Sequence, residues 1–238
     1  MRSAFILTLL LVVSMSATAL NLPGSRLIES SEIYINHRFF GNVSDDPLNN
    51  FIGMDQGANI ALGFGFRLND RAALSILRST FDKEYFLAGK FALTDGLSVL
   101  IGDAQKTSPT VVGDRNSYLG QLIFTRELND RFAVSFVPSL ANPVNNNPTL
   151  ALGLAGSYAL EVRAGYLERL ELIAEYLPVV SGYARRYPTA SLGVKLKTWG
   201  HFFSLIFTNN IQTLPGGFLP GSADNNLHFG FNIVREIS

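Results

Sequence analysis

Glu171, Glu175, Lys195 and Lys197 are the residues whose types and spacing first suggest chemistry. Each pair is separated by an even number of positions, so on an extended chain each lies on one face. In a hairpin centred near Ala184, Glu171 stands opposite Lys197, and Glu175 is diagonal to Lys195. Opposite charges across two strands stabilise the pairing by about 0.2–1 kcal/mol. Two roles follow for such a group. One is a structural ladder that keeps buried charges paired. The other is a charged constriction that selects solutes, as rings of charge do in pores. By the same parity Arg67, Glu84, Lys90 and Gln121 join that face.

Other chemistries are less well supplied. The three histidines are His37, His201 and His228. Histidine is the commonest metal ligand, yet His37 and His228 fall on opposite faces by parity, and His201 belongs at the other end of its strand. The expectation is three separate rim histidines. A hydrolase needs a nucleophile and a base on one face. His201 and Ser204 are three apart on one run and point to opposite faces. "AGSYA" lacks the flanking glycines of G-x-S-x-G, and "GDAQKT" lacks the second glycine of a phosphate-binding loop. No triad emerges, and neither a cofactor nor a catalytic residue is expected.

The elements that would carry these residues are strands. Ala58, Ile60, Leu62, Phe64 and Phe66 alternate with Asn59, Ala61, Gly63, Gly65 and Arg67. Leu192, Val194 and Leu196 alternate with small or polar residues, as do Leu227, Phe229, Phe231 and Ile233. Period two marks a strand with two different faces. Twelve such runs are present: Glu32–Phe40, Gln56–Arg67, Ala72–Thr80, Glu84–Leu93, Leu97–Ala104, Ser117–Arg126, Phe132–Leu140, Thr149–Tyr166, Leu170–Leu177, Ala190–Thr198, His201–Thr208 and Asn226–Glu236.

Their connections alternate. After every even run the join is short: Leu68–Arg71 (LNDR), Thr94–Gly96, Leu128–Arg131 (LNDR again), Leu167–Arg169 and Trp199-Gly200. Asn, Asp and Gly favour tight turns because they tolerate positive φ or bond their own backbone. After the odd runs the joins are longer, as in "GNVSDDPLNN", "NPVNNNP" and "NIQTLPGGFLPGSADN", with "STFDKE" intermediate. Strict alternation of short and long joins is the mark of an up-and-down transmembrane barrel with two different rims.

Composition agrees. Charged residues are 16%, against roughly 25% in ordinary soluble domains, while apolar residues are 47%. The alternate face holds too little charge for a water-exposed surface, so the apolar face (Ile60, Leu62, Phe64, Leu192, Val194, Phe229, Phe231) is expected toward lipid. Tyr85, Tyr118, Phe132, Tyr176 and Phe203 sit near strand ends, where aromatic girdles belong. A backbone in lipid must satisfy its own hydrogen bonds, so the last run should pair with the first. The formal charge is zero, without the basic excess of a nucleic-acid binder. No cysteine is present, which excludes a disulfide framework and a lipid-bearing cysteine.

The first residues read as an export signal: Arg2, the apolar stretch Ala4–Val13, and the cleavage site Ala17-Thr18-Ala19. The expected organisation is a signal peptide over 1–19 and a barrel domain over 20–238.

The chain also resembles an outer-membrane β-barrel family of unknown function, found mainly in Bacteroidota. The resemblance rests on "INHRFFG" at Ile35, "FIGMDQGANIALGFGFRLNDR" at Phe51, "RSTFDKEYFLAGKF" at Arg78, "LGQLIFTRELNDRFAVSFVPS" at Leu119, "WGHFFSLIFTNN" at Trp199 and "HFGFNIVRE" at His228. It implies location and architecture, and it supplies no substrate and no site residues. Many outer-membrane barrels end in an aromatic residue that helps assembly, whereas Ile237-Ser238 stand here.

The expected protein is all-β: a single up-and-down antiparallel transmembrane β-barrel of about 12 strands. Its expected partners are outer-membrane lipids, lipopolysaccharide and the barrel-assembly machinery. Arg38, Arg78, Arg185 and Arg186 near the outer rim suit anionic lipopolysaccharide groups, because guanidinium forks match phosphate geometry; solvated loop charge is the plainer alternative. The expected role is a narrow channel for small solutes, with a closed structural, adhesive or ligand-binding barrel as the alternative.

Overall fold

A computed structural model describes residues 20–113, 115–144, 147–160 and 167–237. The chain forms β1 (Ser31–Asn42), β2 (Ala58–Asn69), β3 (Ala72–Ser79), β4 (Glu84–Thr94), β5 (Leu97–Lys106), β6 (Asn116–Glu127) and β7 (Phe132–Val144). It continues through β8 (Asn147–Leu160), β9 (Leu167–Leu177), β10 (Val179–Gly182), β11 (Thr189–Thr198), β12 (His201–Thr208) and β13 (His228–Ile237). Apart from the closing pair β1–β13, all pairings are antiparallel and join strands adjacent in sequence, except that β10 pairs only with β8 and β9 pairs with β8 and β11. β1 pairs with β13 from Ser31↔Ile237 to Asn42↔His228, and β8 pairs with β9, so the sheet closes.

Thirteen assigned strands make a twelve-stranded wall. β9 and β10 are one strand interrupted at Pro178, which has no N–H to give the ladder. Its carbonyl still accepts from Leu152 N at 3.0 Å.

The wall has the two faces that period two demands. Leu62, Phe64, Ile76, Leu87, Ile101, Leu172 and Leu192 are exposed on the outside, while Asn59, Ala61, Ala88, Gln121, Ser139 and Ala151 on the alternate positions are buried within. Ile60, Val194, Phe229 and Phe231 are half-buried on the outer face, where Phe39 stacks on Phe229 and His37 on Phe231. Tyr85, Tyr118, Phe132, Tyr176 and Phe203 are all exposed near strand ends.

The repeated LNDR serves the same turn twice. Asn69 Oδ1 accepts from Arg71 N at 2.8 Å. Asn129 Oδ1 accepts from Arg131 N and Phe132 N, both at 2.9 Å. In each copy the asparagine side chain closes the turn on its own backbone.

Three features of the wall differ from the sequence expectation. The Asn-rich stretch between the seventh and eighth runs is mostly strand, since β7 runs to Val144 and pairs with Asn147. Two strands already in register extend their ladder beyond the apolar band, so this outer connection is short and the alternation of loop lengths fails there. Next, Leu167–Arg169, expected as a turn, opens β9; residues 161–166 of the expected eighth run lie outside the described residues. Finally, the hairpin from β9 to β11 is centred one residue earlier than expected, which moves the register by two. Lys195 faces Glu171, Glu175 faces Ser191, and Lys197 faces Arg169.

Candidate functional site: the barrel lumen

Parity places Glu84, Gln121, Glu171, Glu175 and Lys195 inside the wall, each at 5% exposure or less. Lys90 and Lys197 are half-buried on the same face. Arg67 departs from the expectation. A register shift between Arg67 and Asn69 carries it past the lumen to the turn, where it bonds Asn69 O and pairs with Asp70 at 3.1 Å.

Arg38 also departs from its expected place at the rim. It is 1% exposed and points inward, on the face of Glu32 and Asn232. Its Nη1 donates to His37 O at 2.8 Å and Asn232 Oδ1 at 2.9 Å, and its Nη2 donates to Asn21 Oδ1 at 2.8 Å. The signal was in the sequence: Glu32, Asn36 and Arg38 share a parity, and a guanidinium on the inner face finds polar partners that lipid cannot give it.

Asn21 belongs to a segment that sequence reasoning missed. Residues 20–28 run inside the barrel, with Leu20, Leu22, Ser25 and Ile28 buried. The Glu175 carboxylate accepts from three consecutive backbone amides, those of Leu20 (2.7 Å), Asn21 (3.0 Å) and Leu22 (3.0 Å). It also accepts from Asn21 Nδ2 at 3.1 Å. Asn232 Nδ2 donates to Leu20 O at 2.6 Å. Lys90 Nζ donates to Gly24 O and Arg26 O, and Ser25 N donates to Thr125 Oγ1 at 3.0 Å. Glycines on the wall make room. A Cβ on Gly153 would stand 2.7 Å from Leu22 Cδ2, and one on Gly193 would stand 2.9 Å from Leu20 Cδ2.

The opposite end is closed by the long connection between β12 and β13. Leu214, Phe218 and Leu219 of this loop are buried at 2% exposure or less, around a single helical turn α1 (Pro215–Phe218). Asn59 Nδ2 donates to Ile211 O at 3.0 Å, and Thr189 Oγ1 to Phe218 O at 2.8 Å. Arg185 Nη1 donates to Gly217 O at 2.7 Å and Gly221 O at 3.2 Å. Arg185 is therefore a strut of this loop rather than a free outer cation. Glu84 faces the same turn, since a Cβ on Gly216 would stand 3.1 Å from its Oε1.

A cavity of about 170 Å³ separates the two inserted segments, reached by Pro23 and Ile28 from one side and Leu214 and Phe218 from the other. Arg38, Lys90, Lys195 and Gln121 are among its wall residues. Lys195 Nζ lies 5.4 Å from the centre of the Phe202 ring, over its face.

The histidines are spread out. His37 stacks on Phe231 on the outer face at 4.7 Å. His228 is buried inside with Nδ1 3.1 Å from Gly41 O. His201 meets Arg235 beyond the start of β12. Arg78 lies outside over Tyr85, 5.4 Å from the ring centre, and Arg186 is exposed over Tyr187 at 5.2 Å.

This closed wall, with large apolar side chains exposed outside and all its buried charges within, is that of a membrane-spanning β barrel of the outer-membrane type. Residues 29–236 match the family described as a membrane bound beta barrel domain (DUF5777), and the chain belongs to that family. No match exists among curated proteins. Among solved structures the chain is similar in fold to a bacterial polysaccharide outer membrane secretin, at TM-score 0.51 and 10% identity, covering 90% of this chain and 100% of that one. It is also similar to the KdgM porin in complex with disordered oligogalacturonate, at TM-score 0.50 and 11% identity, covering 87% of this chain and 99% of that one. At such identities the likeness is one of fold.

Proposed function

We propose that this protein is a narrow outer-membrane channel for small solutes that rests closed, gated by its own inserted segments. The observation that carries this reading is the kind of closure. The lumen wall carries buried charged and polar groups among its apolar ones, and the material filling it is irregular chain tied to those groups by side-chain hydrogen bonds. Such bonds contribute a net of about 0.5–1.5 kcal/mol each between neutral groups and about 1.5–3 kcal/mol where one partner is charged, as at Glu175, Arg38 and Arg185, so each is small enough for water to replace. Displacement of both segments together would open a path that passes Glu171, Glu175, Lys195 and Lys197.

A second reading has its own support. Leu22, Leu214, Phe218 and Leu219 share one apolar cluster with Phe86, Leu100 and wall alanines. That packing favours a permanently closed barrel acting through its outer loops. Planar-bilayer conductance separates the two: the gated channel opens in rare steps that become frequent when residues 20–28 are removed, and the closed barrel passes no current in either form.

In both readings Arg78 and Arg186 are the outer cations available to lipopolysaccharide phosphates. Arg38 and Arg185 are committed to the inserted segments. The barrel-assembly machinery would insert the protein, and binding of lipopolysaccharide to wild-type and Arg78→Gln/Arg186→Gln barrels tests the outer contact.

A further inference from the structure

The contact between Glu175 and the start of the described chain carries a consequence for maturation. Leu20 N lies 2.7 Å from Glu175 Oε1, and both residues are 4% exposed. Around it, Leu20 packs with Ile173 and Ile206, its carbonyl is taken by Asn232, and Asn21 is held by Arg38 and Ser191. Outward of this point the lumen is filled by Leu214 and Phe218. The Glu175 carboxylate is thus a buried acceptor aimed at the Leu20 nitrogen. The signal Ala17-Thr18-Ala19 ends immediately before it.

We infer that export processing cuts the Ala19–Leu20 bond and that the new α-ammonium of Leu20, paired with Glu175 inside the barrel, is the anchor of the plug formed by residues 20–28. The cut is a hydrolysis by the export signal peptidase. One water is consumed: its hydroxyl goes to the Ala19 carbonyl carbon, and hydrogen goes to the Leu20 nitrogen, which is protonated at neutral pH. An amide donor becomes a full positive charge at hydrogen-bond distance from a buried carboxylate. Charge-assisted bonds of this kind are roughly twice as strong as neutral ones. Glu175 would otherwise face only neutral amides from the plug, so processing strengthens the seat at the moment the signal leaves. The inference rests on reading residues 20–28 as a plug, and it does not need the barrel to conduct.

The test uses full-length protein exported by a Gram-negative host and extracted from its outer membranes. Terminal sequencing and intact mass should give Leu20 as the first residue; a start elsewhere overturns the proposal. The folded barrel is then treated with an amine-acylating reagent. The Leu20 α-amine should be spared while exposed lysines react, and it should react after heat unfolding. Acylation of Leu20 in the folded barrel at the rate of exposed amines overturns the proposal.

Glu175→Gln should lower Tm and remove this protection. In protein carrying a Gly-Ser extension before Leu20, the same substitution should have a smaller effect, because no ammonium stands at that position. An equal effect in both backgrounds overturns the ion pair. If Glu175→Gln fails to fold, the acylation of the wild-type barrel decides alone. Steady current through a barrel whose Leu20 amine is protected would contradict the resting-closed channel and leave this inference standing.

Discussion

Arg38 on the barrel wall and Asn21 in the lumen segment meet through a 2.8 Å hydrogen bond from Nη2 to Oδ1. The same guanidinium holds Asn232 on the neighbouring strand β13 through Nη1. One side chain thus joins two wall strands to the plug, and its position on β1 puts that junction beside the seam where the barrel closes.

Replacing Arg38 with Met keeps an unbranched apolar stem and removes every donor. Asn21 and Asn232 lose a buried partner each, and an unsatisfied buried polar group costs about 1–3 kcal/mol. The expected result is a lower Tm for the heat-modifiable barrel and faster protease cleavage within residues 20–28. Unchanged proteolysis would show that Arg38 does not hold the plug.

Glu171 and Lys195 stand directly opposite on β9 and β11, both 5% exposed or less, and Arg169 Nε pairs with Glu171 Oε1 at 2.6 Å as a third member of the group. Breaking a buried pair by removing one partner costs about 3–5 kcal/mol, and removing both costs less. Glu171→Gln and Lys195→Gln should each lower stability strongly, while the double variant should lose clearly less than the sum. A double-mutant cycle by thermal or urea unfolding in detergent checks this, with coupling expected within about 0.5–3 kcal/mol.

Leu62 faces outward at 57% exposure, near the middle of β2 and opposite Ile35. Arginine there should cost about 2–4 kcal/mol if the position lies at the bilayer midplane. Ala61→Ser, one residue away on the inner face, should cost far less. Equal costs for the two in folding from urea into lipid vesicles would contradict the assigned sidedness.

Gly153 offers a sharper handle on the plug. A Cβ there meets the end of the Leu22 side chain at 2.7 Å and Val137 O at 3.2 Å. Gly153→Val should displace Leu22 while the β7–β8 ladder persists, so acylation of Leu20 and proteolysis of residues 20–28 should both accelerate. An intact barrel with a plug as protected as wild type would contradict the contact.

Much of the wall was legible because its determinants are local. The alternation from Asn59 to Phe66 fixes two faces, and the LNDR turns carry their own asparagine caps. Register between β9 and β11 was not, because it depends on where Pro178 ends a ladder, and a shift of one in the hairpin centre moves every pair by two. Arg38 lies near the outer rim along β1, but its parity, shared with Glu32 and Asn36, turns it inward. The two inserted segments were illegible for a deeper reason. Residues 20–28 and 209–227 have no period of their own, and their burial is created only when twelve strands close around them. Glu175 and Lys90 accordingly read as lining groups for solutes, whereas they bind this chain's own backbone, as Asn59 does.

The most direct test of the central claim is single-channel conductance of the processed protein beside a variant lacking Leu20–Ile28, both reconstituted from outer membranes into planar bilayers. The account predicts a wild-type barrel that is closed most of the time with brief, reproducible openings, and a variant whose openings are far more frequent. Equal current in the two proteins, or none from either, would contradict a channel closed by its own N-terminal segment.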